Sequence, residues 1–236
     1  MYEEKTYRKY SVPKDLFKTH LIIEESDILV FTSEKIESSE IEKKVKSLRE
    51  DIKTYIKRDR NFLTTLSAYE PENSAPQIIK EMCKVSKILD VGPMACVAGA
   101  ISEFLGKELL KKSKEVIVEN GGDIFLKITR QRNIGIFYNK NDLLKIKLTT
   151  LNTPLGIASS SGKFGHSLSF GNCDLVCVIS ESAIFSDGAA TFLGNLIKTQ
   201  KDILPAFKKI KKYKEIKAVL VIFEGKIFVQ GDLEFS

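Results

Sequence analysis

"EVIVENGGDIFLKI", residues 115–128, reads as two β-runs folded back on each other around Asn120-Gly121-Gly122. Glycine reaches the positive φ that a tight hairpin loop demands, so Asn-Gly-Gly between two apolar runs is a strong hairpin signal. The hairpin places antiparallel pairing at the centre of the chain, and the neighbouring segments extend it. Towards the carboxyl end, strand-like runs follow at "NIGIFY" (133–138), "LLKIKLTT" (143–150), "PLGIASSS" (154–161) and "CDLVCVIS" (173–180), with a last hairpin in "AVLVIFEGKIFVQGD" (218–232). Towards the amino end, "THLIIEESDILVFTS" (19–33) gives two more runs joined by "EES".

Between these runs the apolar period changes to that of a helix. Ile41, Val45, Leu48, Ile52 and Ile56 recur at helical spacing behind a capping box of Ser39 and Glu42. Ser74 and Gln77 mark a second helix start after "PENSAP" (71–76), with Pro76 in the first turn. A third helix, "GPMACVAGAISEFLG" (92–106), carries Ala95, Gly99, Ser102 and Gly106 along one side, which permits close approach to a sheet or a ligand. Further helices are expected over 182–197 and about 201–214. The class is α+β, a largely antiparallel sheet with helices packed on one side.

The chain has 236 residues, 43% of them hydrophobic, enough for a substantial core, and no linker divides it, so one domain over 1–236 is expected. Its formal charge is +6, but Lys and Arg alternate with Asp and Glu over most of the length. A nucleic-acid partner needs clustered cations with stacking aromatics, so none is expected. The densest run, "FKKIKKYKEIK" (207–217), keeps Phe207, Ile210 and Tyr213 three apart and reads as a solvated helix face. The acidic start "MYEEK" does not suit a signal peptide, and no apolar stretch is long enough to span a bilayer. A cytoplasmic protein with no membrane partner is expected. Cys83, Cys96, Cys173 and Cys177 sit in apolar runs and read as buried, reduced thiols, with Cys173 and Cys177 on one face of a strand.

Four short stretches carry candidate chemistry. "ENGGDIF" is a turn in its own right. "GIASSSGKFGHSLSFG" (156–171) gathers Ser160, Ser161, Gly162 and His166, a segment rich in bare backbone and hydroxyls that suits either a loop or a large polar ligand. "GPMA" begins a helix whose first N–H groups and positive dipole end suit a phosphate. In "SDGAAT", Asp187 and Thr191 stand four apart, so their oxygens share a helix face as a hard cation such as Mg²⁺ requires.

In this order and at these intervals, "GPMACVAGAISEFLG", "VIVENGGDIF", "GIASSSGKFGHSLSFG" and "SDGAATFLGN" resemble the core of the FAD:protein FMN transferases, the ApbE family, and within that superfamily a short branch with no assigned activity. The resemblance covers roughly residues 85–200. It implies an ApbE-like, T-fold-related domain in which Gly121, Gly122, Asp123, Ser160, Ser161, Gly162 and His166 line an FAD pocket. It further implies that Asp187 and Thr191 hold Mg²⁺ with a backbone carbonyl from Ala95 to Val97. The implied activity is transfer of FMN from FAD to a Thr or Ser hydroxyl of an acceptor protein; the alternative is a flavin- or nucleotide-binding protein without transfer. One departure bears on the choice: the family carries a Lys in the helix motif where this chain has Cys96 or Ala98, and no Lys occurs from 88 to 106.

Overall fold

The central hairpin forms as expected in the computed structural model, which describes residues 13–138, 142–150, 153–161 and 172–236. Strands β3 (Val116–Asn120) and β4 (Asp123–Lys127) pair antiparallel, and Asn120 faces Asp123 across the two-residue loop. Both loop glycines have positive φ, 69° at Gly121 and 115° at Gly122, a conformation that a side chain would strain.

Around this pair the chain builds an eight-stranded, wholly antiparallel sheet. Its other members are β1 (Phe17–Ile23), β2 (Ser26–Thr32), β7 (Leu155–Ser160), β8 (Leu175–Ser180), β9 (Ile216–Phe223) and β10 (Lys226–Gly231), in the order β1-β2-β3-β4-β7-β8-β9-β10. A second, three-stranded sheet contains β5 (Arg132–Phe137), β6 (Leu143–Leu148) and β11 (Glu234–Phe235), in the order β11-β6-β5.

Strand alternation divides the apolar residues between two cores. Ile28, Val30, Val116, Val118, Val176, Val178, Val219 and Val221 point to one face, where the helices cover them. Leu29, Phe31, Ile117, Cys177, Leu220 and Ile222 point to the other, where Ile134, Ile136, Ile146 and Leu148 of the small sheet close over them. The central strands are therefore apolar on both sides, which is why they read as continuous runs. Cys173 and Cys177 do not share a face: β8 begins only at Leu175, so Cys173 lies in the preceding loop and packs on the helical side, while Cys177 joins the opposite core. All four cysteines are buried thiols outside any disulfide, and burial pushes the Cys83 and Cys177 thiols up to about 12, which keeps them protonated.

The helices are α1 (Ser38–Arg58), α2 (Arg60–Thr64), α3 (Gln77–Leu89), α4 (Val97–Leu109), α5 (Ala183–Leu196) and α6 (Ile203–Ile210). Neither expected serine cap forms. Glu37 stands at the cap of α1 with no side-chain bond, and Pro76 takes that place in α3 while Ser74 donates to Glu72. "GPMA" forms a 3-10 turn (Pro93–Cys96) before α4, and the helix expected over 201–214 is shorter, α6 following another 3-10 turn. Among the described residues no single helix is long and apolar enough to cross a membrane.

Candidate functional site

At one end of the large sheet, on its helical side, the turn β3–β4 meets the first turns of α4 and α5. Asp123 opens β4 and shares the face of Phe125, so its carboxyl points towards the helices. One of its oxygens accepts from the Ser159 N–H at 3.3 Å, and its own carbonyl accepts from the Ser102 hydroxyl at 3.0 Å. Asn120, on the same face of β3, donates to the Ala98 carbonyl at 3.3 Å. The small-residue side of α4 thus lies directly on the hairpin, and a Cβ added at Gly106 would stand 2.1 Å from the Phe125 ring.

Asp187 approaches α4 from α5. Its carboxylate accepts the Gly99 N–H at 2.9 Å and also bonds the Ala98 N–H, satisfying first-turn donors for which α4 has no side-chain cap of its own. It is also hydrogen-bonded to the Asp123 carboxyl. Burial, and then the charge of Asp123, push the Asp187 carboxyl well above the usual carboxylate range. Two carboxyls in such contact away from water must share a proton or a cation.

The arrangement is reciprocal. Glu103 of α4, buried, accepts from the Ser182 hydroxyl at 2.7 Å and the Ile184 N–H at 3.2 Å at the start of α5, and its other oxygen takes the Lys107 ammonium at 2.6 Å. Each helix therefore caps the other, which fixes the height of Asp187 beside α4. Glu103 has one signal in the sequence, a charge set beside the small residues Gly99, Ser102 and Gly106 on the helix side expected to pack. Gly99 makes the contact possible, since a Cβ there would stand 2.3 Å from the Ala183 carbonyl oxygen and 2.9 Å from the Asp187 Cβ. Gly99→Ala is expected to cost about 1–3 kcal/mol and to push α5 outward, seen as a lower melting temperature in thermal denaturation.

Ser160, at the end of β7, shares the face of Gly156, whose added Cβ would strike Ala183 at the start of α5. Its hydroxyl is buried and has no hydrogen-bond partner among the described residues. Thr191 stands one turn after Asp187 on α5, half-buried, and Ser161 follows Ser160. Gly162 and His166 lie outside the described residues. Among the described residues no group of three or more His, Cys, Asp or Glu gathers as a metal site. What the structure does bring together is the pair of carboxyls, Asp123 and Asp187, oxygen atoms of the kind a hard cation prefers. Cys96, one of the two positions with Ala98 where the resemblance would have a Lys, is fully buried, its thiol held protonated by burial and by the Asp187 charge.

The comparisons with known proteins bear on family and fold. A family model described as AbpE bacteria matches residues 9–226, which extends the likeness through the amino-terminal third. A UPF0280 protein of Methanocaldococcus jannaschii is 32% identical, covering 92% of this chain and 91% of the relative. One from Methanobrevibacter smithii is 36% identical over 90% of each. Among solved structures, the flavinyl transferase ApbE of Pseudomonas stutzeri matches with TM-score 0.59 at 11% identity, covering 91% of this chain and 93% of that one. The apbe protein of Thermotoga maritima matches with TM-score 0.59 at 13% identity, covering 94% and 97%. These structural matches establish the shared fold, a mixed α+β architecture built on a large antiparallel sheet. The chain belongs to the ApbE-like family that the model and the UPF0280 proteins represent.

Proposed function

We propose that the chain binds FAD together with Mg²⁺ where the β3–β4 turn meets α4 and α5, and transfers FMN to a Thr or Ser hydroxyl of an acceptor protein. The observation that supports this reading best is the meeting of Asp123 and Asp187, residues of two motifs far apart in sequence, at the start of α4. Asp187, Thr191 and a carbonyl from Ala95 to Val97 would hold the ion, which when bound neutralises pyrophosphate charge. Gly121 and Gly122 leave room for the dinucleotide to lie against the main chain, and the Ser160 hydroxyl supplies a donor for it. Ser161, Gly162 and His166 extend the pocket as the resemblance implies. In the transfer a phosphoanhydride bond breaks, the acceptor oxygen takes the FMN phosphorus, and AMP and one proton leave.

FAD is then expected to bind more tightly than riboflavin, by about tenfold or more, and chelation of Mg²⁺ should narrow the gap. Equilibrium dialysis of both flavins with and without EDTA checks this, and equal affinities would remove the dinucleotide from the reading. The absence of a Lys from 88 to 106 and the buried Cys96 favour a second reading, binding without transfer, because no cation stands in that place to stabilise developing charge. Release of AMP from FAD in the presence of a Thr- or Ser-bearing acceptor separates the two.

A further inference from the structure

The excess charge of this protein is concentrated in one place. Lys208, Lys209, Lys211, Lys212 and Lys214 fall within seven residues that contain no acid, and the remainder of the chain holds 32 Lys and Arg against 31 Asp and Glu. All five side chains are exposed, at the end of α6 and in the turn leading to β9. None forms an ion pair among the described residues; Lys212 only rests over the Tyr213 ring, 4.8 Å from its centroid. Lys208 and Lys209 lie in the last turn of α6 and Lys211, Lys212 and Lys214 follow it, so like charges crowd its carboxyl end, although cations near a helix carboxyl end recover part of the loss. The apolar stripe of this element, Ile203, Ala206, Phe207 and Ile210, is buried, so the lysines are not needed to orient it.

On the outward face Leu204 is 68% exposed and stands one and two turns before Lys208 and Lys211. The result is an exposed helix end with an apolar side chain set among lysines. A single-stranded nucleic acid is gripped by exposed aromatics, whereas Phe207 is buried here and Tyr213 is half-buried against Phe185, and bases are read by Arg, Asn or Gln, none of which occurs from 204 to 214. Protein interfaces favour Arg and aromatics and are depleted in Lys. A layer of anionic headgroups needs only diffuse positive charge and one or two side chains able to enter the acyl boundary.

We propose that this helix end, Leu204 with the five lysines at 208–214, binds an anionic lipid surface reversibly. Such binding requires neither a signal peptide nor a membrane span, the two features on which the expectation of no membrane partner rested. Each lysine near such a surface is worth about fivefold in affinity at physiological salt, so three together account for about 100-fold. The test is co-sedimentation of the full chain with vesicles of 70% phosphatidylcholine and 30% phosphatidylserine against vesicles of phosphatidylcholine alone. Lys208→Gln/Lys211→Gln/Lys212→Gln serves as the variant, with its melting temperature measured alongside. Because these side chains are exposed, the variant should keep its fold. The wild type is expected to sediment only with the anionic vesicles and to be released by 0.5 M NaCl, and the variant to lose about 100-fold in affinity. Failure of the wild type to bind, equal binding to neutral vesicles, or undiminished binding by the folded variant would overturn the proposal. So would tighter binding to duplex DNA or to poly-glutamate at the same salt.

Discussion

Asp187→Asn is expected to raise the stability of the metal-free protein at neutral pH while abolishing cation-dependent nucleotide binding. The asparagine oxygen can still accept from Gly99, and its amide can donate to the Asp123 carboxylate, so the contacts survive and the conflict between two buried acids does not. Removing one of two buried acids in contact is worth about 1–3 kcal/mol, the range of most single-residue effects. In a chain of this size that raises the melting temperature by about 3–8 °C. The same change removes the charged oxygen proposed to hold Mg²⁺, and affinity for Mg²⁺ with FAD should fall by about 100-fold or more. Thr191→Ala, which loses only a neutral hydroxyl, should weaken binding less. Thermal melts and calorimetric titrations on the same preparations check both halves. A residue that merely caps α4 would show no loss of ligand binding.

The second large effect lies away from the site, where the small sheet joins the large one. Glu115 is 1% exposed, and its carboxylate takes the Arg132 Nε–H at 2.6 Å and the Thr129 hydroxyl at 2.5 Å, while Arg132 makes a two-pronged pair with Asp15 at 2.6 and 2.8 Å. Burial opposes the charge on Glu115, but the Arg132 and Thr129 donors outweigh it and hold the carboxyl below its usual range. The Arg132 hydrogen bonds draw Asp15 down to about 2. Arg132→Ala would strand the Glu115 charge and is expected to cost about 3–5 kcal/mol at pH 7, a drop of roughly 10 °C or more. The sign of the pH dependence separates lost charge pairing from lost packing. In the wild type both folded carboxyls titrate below their unfolded values, so their contribution is complete above about pH 4.5 and fades towards pH 2. In the variant the unpaired Glu115 gains by protonation, so the deficit should shrink as pH falls into the carboxylate range. Melting curves at pH 7 and pH 4 suffice, and a deficit independent of pH would assign the loss to packing alone.

Much of the fold can be read from the chain because its central strands are continuous apolar runs and its hairpins carry their own turn chemistry. Asn-Gly-Gly at 120–122 and the apolar stripe of α1 are local facts, and local facts survive folding. The small sheet shows where the reading stops. Ile134, Ile136, Ile146 and Leu148 announce strands with one apolar face, but nothing local says that this face closes over Leu29, Phe31 and Ile117 rather than extending the main sheet. Caps failed for a related reason. Ser39 and Ser74 look like caps in isolation, while the donors of α4 are satisfied from another helix by Asp187, a partner no local window contains. Among the site residues, Asp123 and Asp187 could be picked out through their motifs, but their mutual contact and the part played by Glu103 depend on how α4 and α5 pack.

The most direct test is a crystal structure of the protein grown with FAD and Mn²⁺, a spectroscopically visible stand-in for Mg²⁺, with the metal located by its anomalous signal. The account predicts one peak within bonding distance of the Asp187 carboxylate, beside Thr191 and against the pyrophosphate of the dinucleotide. A flavin bound with no metal at Asp187, or a metal bound elsewhere while Asp187 still caps α4 and bonds Asp123, would contradict it.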